Sequence, residues 1–270
     1  MKRLLKIYMP FGRAAVQETI EYRFDMAVYT LGMSMTIFVL YYLWKAVYGA
    51  SGVAVMNGFS MTDMICYIIL SNFMMTFMDT DTVWYIADEV RNGTIAMNLI
   101  KPVNYHLRIF FRQLGAGLIT ALFMMVPVVG GLYIYKFAVL GEVIPVQNIV
   151  AFLISGFLGF VVLFLFDFIF AMMAFYTQNL WGIGFSKIAL VRLMNGTLIP
   201  LVFFPNWAQR VFEFLPFKSM TYTPVVIYLD KFSGSIFSHL MLQVMWIGIL
   251  GAVNFIIWKT AIKKLTVQGG

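Results

Sequence analysis

The sequence predicts an all-α integral membrane protein with six transmembrane helices, and three observations carry that prediction. Hydrophobic residues fill 61% of the 270 positions and charged residues only 11%, against a charged share of about 25% in soluble domains. So few charges cannot coat a water-soluble surface of this size. The apolar residues also fall into long runs. A helix needs about 20 of them to cross the hydrocarbon core, where lipid offers no partner to an open backbone N–H or C=O. Aromatic residues reach 17%, and Tyr and Trp favour the headgroup level.

Residues 1–25 read as a cytoplasmic, interfacial amphipathic helix, helical from about Phe11 to Phe24 with Pro10 at its first position. Basic residues beside Leu4, Leu5, Ile7 and Phe11 suit a helix lying flat on the membrane; the alternative is a basic tail that only sets topology. Pro10, Gly12, Arg13 and Gln17 interrupt any signal-peptide core, so this segment is expected to stay on the mature chain.

The transmembrane domain is expected over 26–262. Its first run is Met26 to Tyr48, followed by a Gly-rich, turn-bearing loop at 49–60. The second begins near Met61 and ends between Asp79 and Trp84. After a polar stretch at 86–108, the third runs from about Phe110 to Tyr135, and Gly141 and Pro145 mark a tight loop. The fourth covers about Ile149 to Tyr176, and 178–187 reads as a connection. A fifth run, Ile188 to Pro205, is short and interrupted by Arg192, Asn195, Gly196 and Pro200, so it either crosses or dips and returns. An amphipathic segment at 206–232 precedes the last run, about Ile236 to Trp258, and 263–270 is a cytoplasmic tail.

Orientation follows from Lys and Arg, which concentrate in cytoplasmic loops. With the N-terminus inside, fourteen of the 19 basic residues fall on the cytoplasmic side and five, Lys45, Lys136, Arg210, Lys218 and Lys231, on the other. Both termini are then cytoplasmic, which requires an even number of crossings. The net charge of +7 sits in short connections between apolar runs, so it marks a membrane surface and not a nucleic-acid site.

Soluble catalytic chemistry finds little support. There is no G-x-x-x-x-G-K-[ST] loop to cradle phosphates, and Gly182-Ile183-Gly184 lacks the rest of a dinucleotide fingerprint and reads as easing a loop. His106 and His239 lack metal-ligand spacing, and the single Cys66 lies in an apolar run as a small hydrophobe. Asp79 and Asp81 are two apart, so on a helix they diverge and make a poor acid–base pair; solvated helix-end residues are the simpler account, an intramembrane hydrolase the distant one. Asp167 sits in the fourth run between VVLFLF and FIFAMM, where an ionised Asp costs about 2.5–3.5 kcal/mol near mid-membrane. It is either a polar point on a substrate path, as in an ion- or proton-coupled transporter, or an interhelical hydrogen-bonding residue.

The segment 88–102 is the most informative. Asp88-Glu89-Val90-Arg91-Asn92 can end a helix at Gly93, which tolerates the left-handed conformation. Thr94 can cap a short helix over Ile95 to Ile100, ended by Lys101-Pro102. With Ile95, Leu99 and Ile100 exposed it would be a docking knob for a cytoplasmic partner; otherwise it is a loop whose apolar residues return to the membrane surface.

In E-V-R-N-G-T-I-A-M-N-L-I-K-P-V (89–103) the chain resembles the permease subunits of ABC exporters of the type-2 (type V fold) family. There an acidic-basic-Gly stretch, a short apolar helix and a basic-Pro pair join the second and third spans. A second similarity is G-T-L-I-P-L-V-F-F-P-N-W (196–207), leading to L-P-F at 215–217 and Pro224, which resembles the family's re-entrant extracellular region (here about 200–232, with Gly196, Pro200, Pro205, Trp207 and Pro216) between spans five and six. The resemblance covers essentially the whole chain and points to the small branch that works with a separate ATPase; the lack of a large extracellular domain sets it apart from macrolide-export-like relatives. It implies a plasma-membrane protein of bacterial type that binds no cofactor itself, ATP and Mg²⁺ being held by the partner. It further implies two permease chains, identical or homologous siblings, over two ATPase subunits. Glu89, Arg91, Gly93, Thr94, Ile95, Leu99, Ile100, Lys101 and Pro102 would form the coupling helix seated in an ATPase groove. The cargo would leave the cytoplasm; an apolar, Met- and Phe-rich interior suits an amphiphilic or drug-like one, although the same residues simply fill membrane helices.

Overall fold

The computed structural model describes residues 2–79, 81–177 and 180–264. Helix α1 (Lys2–Glu21) is followed after Tyr22 by α2 (Arg23–Ser51). Gly52, with a left-handed φ of 64°, stops α2. Asn57 and Gly58, both at positive φ, then turn a two-stranded hairpin, β1 (Val55–Met56) and β2 (Phe59–Ser60). A capping box starts α3 (Met61–Met78): the Ser60 hydroxyl accepts from the Asp63 N–H while the Asp63 carboxylate accepts from the Ser60 N–H, both at 3.1 Å.

Two short helices, α4 (Thr82–Arg91) and α5 (Thr94–Ile100), lead to α6 (Tyr105–Thr120). A single π-helical turn, Ala121–Met125, joins α6 to α7 (Val126–Leu140) just ahead of Pro127, which has no N–H to give to the ladder. Then come α8 (Val146–Ala171) with a tight turn at Met172–Phe175, α9 (Trp181–Met194), a 3₁₀ turn at Leu201–Phe203, α10 (Asn206–Glu213), a 3₁₀ turn at Pro216–Ser219, α11 (Tyr222–Tyr228) and α12 (Ile236–Ala261), ending in a turn at Ile262–Lys264.

Among the described residues five helical stretches are long and apolar enough to cross a membrane: Phe24–Ser51, Met61–Arg91, Tyr105–Leu140, Val146–Phe175 and Ile236–Lys264. The fifth sequence run is different. Its helix, α9, has 14 residues, or about 21 Å at 1.5 Å per residue, short of the roughly 30 Å hydrocarbon core. The chain belongs to an all-α membrane fold.

Helix α8 is the central post, packed against α3, α4, α11 and α12. Its buried face (Phe152, Phe160, Leu163, Phe164, Phe168) meets Met74 and Met78 of α3 and, further along, Val83 and Ile86 of α4 with Tyr105 and Ile109 of α6. By contrast α2 turns Leu31, Met35, Phe38, Val39 and Tyr42 outward, as a helix bordering lipid or another membrane chain must.

Charged pairs gather at the two ends of the bundle. At one end Asp63 is flanked by Lys231 (2.9 Å) and Lys136 (3.7 Å), Lys136 also reaches Glu142 (2.8 Å), and Asn148 donates to Asp230. At the other, Arg108 pairs with Glu89 and Arg112 with Glu18, each at 2.7 Å.

Two sequence expectations change here. The N-terminal helix starts at Lys2, not near Phe11, and Pro10 lies inside it. Packing compensates: α1 lies along α6, with Tyr8 stacked on Phe111 at 5.7 Å and accepting from the Asn104 N–H at 2.8 Å. Gly12 sits so close to Gly115 that a Cβ on Gly115 would strike the Gly12 carbonyl. The stretch 178–187, read as a connection, is helical from Trp181, and Gly182 to Gly184 form its first turn, where Gly184 makes room for the Trp84 ring. Lys187 therefore belongs to a helix and not to a connection. Of the expected tail, 265–270 lies outside the described residues.

Gly115→Val should lever α1 off α6. Proteolysis at Lys6 and Arg13 should then accelerate at least several-fold in the detergent-solubilised protein while the six-run core stays intact; unchanged cleavage would show that α1 is held elsewhere.

Candidate functional site

The short helix between the second and third sequence runs is built around one carboxylate. Glu89, near the end of α4, is buried and accepts both from Arg108 Nη2 (2.7 and 2.8 Å) and from the Tyr105 hydroxyl (2.8 Å), each on α6. It also accepts from Asn98 Nδ2 of α5 at 2.9 Å. Arg108 lies over the Tyr105 ring at 4.9 Å, and Arg112, over the Tyr85 ring at 4.1 Å, carries the chain of contacts to Glu18 of α1. These seven residues thus link α5, α4, α6 and α1. A buried ion pair of this kind gains its strength from the neighbours that meet its lone pairs and protons; Arg108 Nε, buried without a partner among the described residues, is the exception.

This hub was not readable as such. Glu89 was expected among the residues offered to a partner; the structure turns it inward, because Arg108, nineteen residues on, returns on α6 to meet it. The Glu-to-Arg spacing carries no local signature.

The remaining expectations for α5 divide. Gly93, at φ 70°, is both the stop of α4 and the cap position of α5, so Thr94 is not the cap; it is the first helical residue, its hydroxyl donating back to the Glu89 carbonyl at 3.4 Å. Ile95 is not exposed but 1% accessible, packed beneath α5 against Val83, Ile86 and Tyr105. Leu99 is half-buried against the same cluster. Ile100, at 80% exposed, does stand out, together with Met97 at 69%, a residue the sequence reading passed over. Arg91, Lys101 and Pro102 are exposed around them, and Lys101 Nζ donates to Asn98 Oδ1 at 2.8 Å. The result is a short helix with its underside locked and an apolar tip rimmed by two cations.

Asp167 is fully buried in α8 and bonded to Lys187 Nζ of α9 at 3.0 Å. Of its two readings, this geometry supports the interhelical tie. The pairing was hidden because Lys187 had been placed in a connection.

The broken fifth run meets the segment that follows it inside the bundle. Beyond Met194 the helix ends; the Gly196 carbonyl accepts from the Tyr67 hydroxyl (2.6 Å) and the Thr197 carbonyl from Ser71 Oγ (3.4 Å), both on α3. The chain continues to Phe203, which packs on Trp44 and Phe59 beside the hairpin. Asn195 Nδ2 donates to Thr221 Oγ1 at 3.1 Å, which places the tip of the segment 214–221 next to the break. From there α11 leads back out, to Asp230 at the end of α8 marked by Asn148. Gly196 (φ 84°), Pro200 and Pro216 are buried in this region, while Pro205 and Trp207 are exposed where α10 begins.

His106 stacks on Phe168 at 4.3 Å, and no group of acidic, Cys and His residues able to hold a metal is found among the described residues. Asp79 caps the end of α3, its N–H donating to the Met75 carbonyl at 2.7 Å, and Asp81 precedes α4.

A family model described as ABC-2 family transporter protein matches residues 31–269. The chain belongs to that family. No curated protein matches it. An ABC-2 chain is the permease component of an ABC transporter, a multi-pass membrane subunit that works with an ABC ATPase and is not itself a nucleotide-binding domain. An ion- or proton-coupled transporter built on Asp167 is thereby displaced.

Glu89→Ala should strand the Arg108 guanidinium in a dry site and cost about 3 kcal/mol or more. In a thermal-shift measurement this should read as a marked fall in melting temperature, largely reversed in Glu89→Ala/Arg108→Met. Equal stability of both variants would remove the hub from the account.

Proposed function

We propose that this ABC-2 chain is the membrane-spanning half of an exporter of amphiphilic cargo, with Thr94 to Lys101 as the coupling helix that an ATPase subunit grips. Two permease chains, identical or homologous siblings, frame the path, and two ATPases beneath them bind ATP and Mg²⁺. The cargo moves out of the cytoplasm across the plasma membrane of a bacterial cell, and both termini are cytoplasmic. The basic-residue bias supports that orientation, and the five long helices with a broken sixth support an even number of crossings.

The observation that carries this reading is the contrast within α5. Its tip, Met97 and Ile100, is apolar and exposed, whereas its base is fixed through Asn98 and Glu89 to the spans themselves. An exposed apolar bump on a flexible loop could bind a partner without moving anything. A bump anchored to α4 and α6 transmits displacement, because packed elements shift as bodies and do not deform continuously. ATP-driven closure of the ATPases would push α5 and, through Arg112 and Glu18, α1 along with it. Such a push alters access only if the ATPase contacts differ between the two states.

Ile100→Glu should abolish co-purification of the ATPase while membrane insertion and thermal stability stay unchanged, since the side chain touches little in this chain. Undiminished recovery of the ATPase would remove α5 from the interface. Ser51→Cys, placed in a Cys66→Ala background at the exposed end of α2, should react with a membrane-impermeant maleimide added outside intact cells. Labelling only after the cytoplasmic face is opened would invert the topology.

A further inference from the structure

Three fully buried oxygens near the tip of the re-entering segment lack a hydrogen-bond partner among the described residues: Ser155 Oγ on α8, Ser219 Oγ in the 3₁₀ turn before α11, and Gln243 Oε1 on α12. The residues that carry them are neighbours, because Gln243 Nε2 donates to the Ser155 backbone carbonyl at 2.9 Å and to the Ser219 backbone carbonyl at 2.8 Å. Those two bonds also fix the amide: flipped, Oε1 would face two carbonyl oxygens, so the unpartnered atom is the acceptor. Gly159 lets the turn come this close to α8, since a Cβ there would strike the Met220 carbonyl.

We propose that Ser155, Ser219 and Gln243 bind one ordered water molecule, which joins α8, α12 and the tip of the re-entering segment within the bundle. A buried water needs two to four polar partners. Here the Gln243 oxygen accepts one of its protons, and two hydroxyls, each able to donate or accept, take the other proton and a lone pair. A cation is the poorer occupant. No carboxylate is bonded to the three residues, the positive edge of the Gln243 amide lies beside them, and an uncompensated charge in apolar surroundings is costly. The site lies apart from α5 and stands whether or not α5 docks an ATPase.

The sign of a serine deletion discriminates. A buried hydroxyl that truly has no partner is a liability, and replacing it with Ala leaves stability unchanged or raises it. A hydroxyl that holds a water loses a bond. Ser155→Ala and Ser219→Ala, each as the full chain in lipid nanodiscs, should therefore lower the melting temperature by about 2–4 °C, and high-resolution density of the unsubstituted chain should show one peak within hydrogen-bond distance of all three oxygens. Stability unchanged or raised in both variants, or no peak, would overturn the site. A melting temperature that follows exchange of Na⁺ for choline would overturn water as its occupant.

Discussion

Within lipid, every backbone N–H and C=O must be met from inside the protein, and the rest of this architecture follows from how one broken helix satisfies that demand. α9 gives up its ladder after Met194, well short of a full crossing. The carbonyls it releases are met by side chains of other helices: Tyr67 meets Gly196, Ser71 meets Thr197, and Gln243 meets Ser219 at the neighbouring tip. Asn195 closes its own turn by accepting from the Thr197 N–H at 3.0 Å. The polar residues on otherwise apolar helices are thus donors placed where backbone has been set free. On α2 the Thr30, Ser34 and Thr36 hydroxyls instead donate to carbonyls four residues back on their own helix, and Tyr48 reaches out, to the Phe59 carbonyl of the hairpin.

The same logic orders the packing. The tip of the re-entering segment can approach α8 only because Gly159 leaves a notch, where a side chain would collide with the Met220 backbone; Gly156, three residues earlier, admits the Met74 side chain of α3. Small residues at close helix contacts are the usual means of association in lipid, where no hydrophobic drive exists between helices. Here the notch receives an irregular segment in place of a helix. That makes α8 the element on which both the tip and, through Asp167 and Lys187, α9 are hung.

Much of this was legible in the sequence. Long apolar runs gave the all-α membrane class, and the boundaries of the first two runs and the last fall within a few residues of α2, α3 and α12, because composition and length alone decide such helices. The Gly-rich stretch at 49–60 and Gly93 marked turns, since only a few residues adopt positive φ cheaply. The interruptions at Asn195, Gly196 and Pro200 announced that the fifth run was not an ordinary span. What stayed hidden was every relation between distant residues. Lys187 was read as a loop cation because Gly182 and Gly184 resemble a loop; Gly184 is there to admit Trp84, a reason that exists only in three dimensions. Glu89 looked like a surface acid for the same cause, and Ile95 and Ile100 were indistinguishable until packing buried one and exposed the other.

That last pair shows why α5 is more than an apolar patch. Two isoleucines five residues apart project to different sides of a short helix, one into the core formed by Val83, Ile86 and Tyr105, the other to the exterior. Force applied at Ile100 therefore passes through a well-packed interior, which resists compression, and not through a hinge. Gly93 could have been that hinge, yet the Thr94 hydroxyl and the Asn98 amide both return to Glu89 and bridge across it. A carboxylate at position 89 does what no apolar residue of the same volume could: it bonds the helix before the glycine, the helix after it and α6 at once. An apolar replacement of the whole hub could be as stable, because buried ion pairs are often matched by good packing. It would leave α5 tied across Gly93 only by the Thr94 hydroxyl and the packing of Ile95, without the polar link to α6.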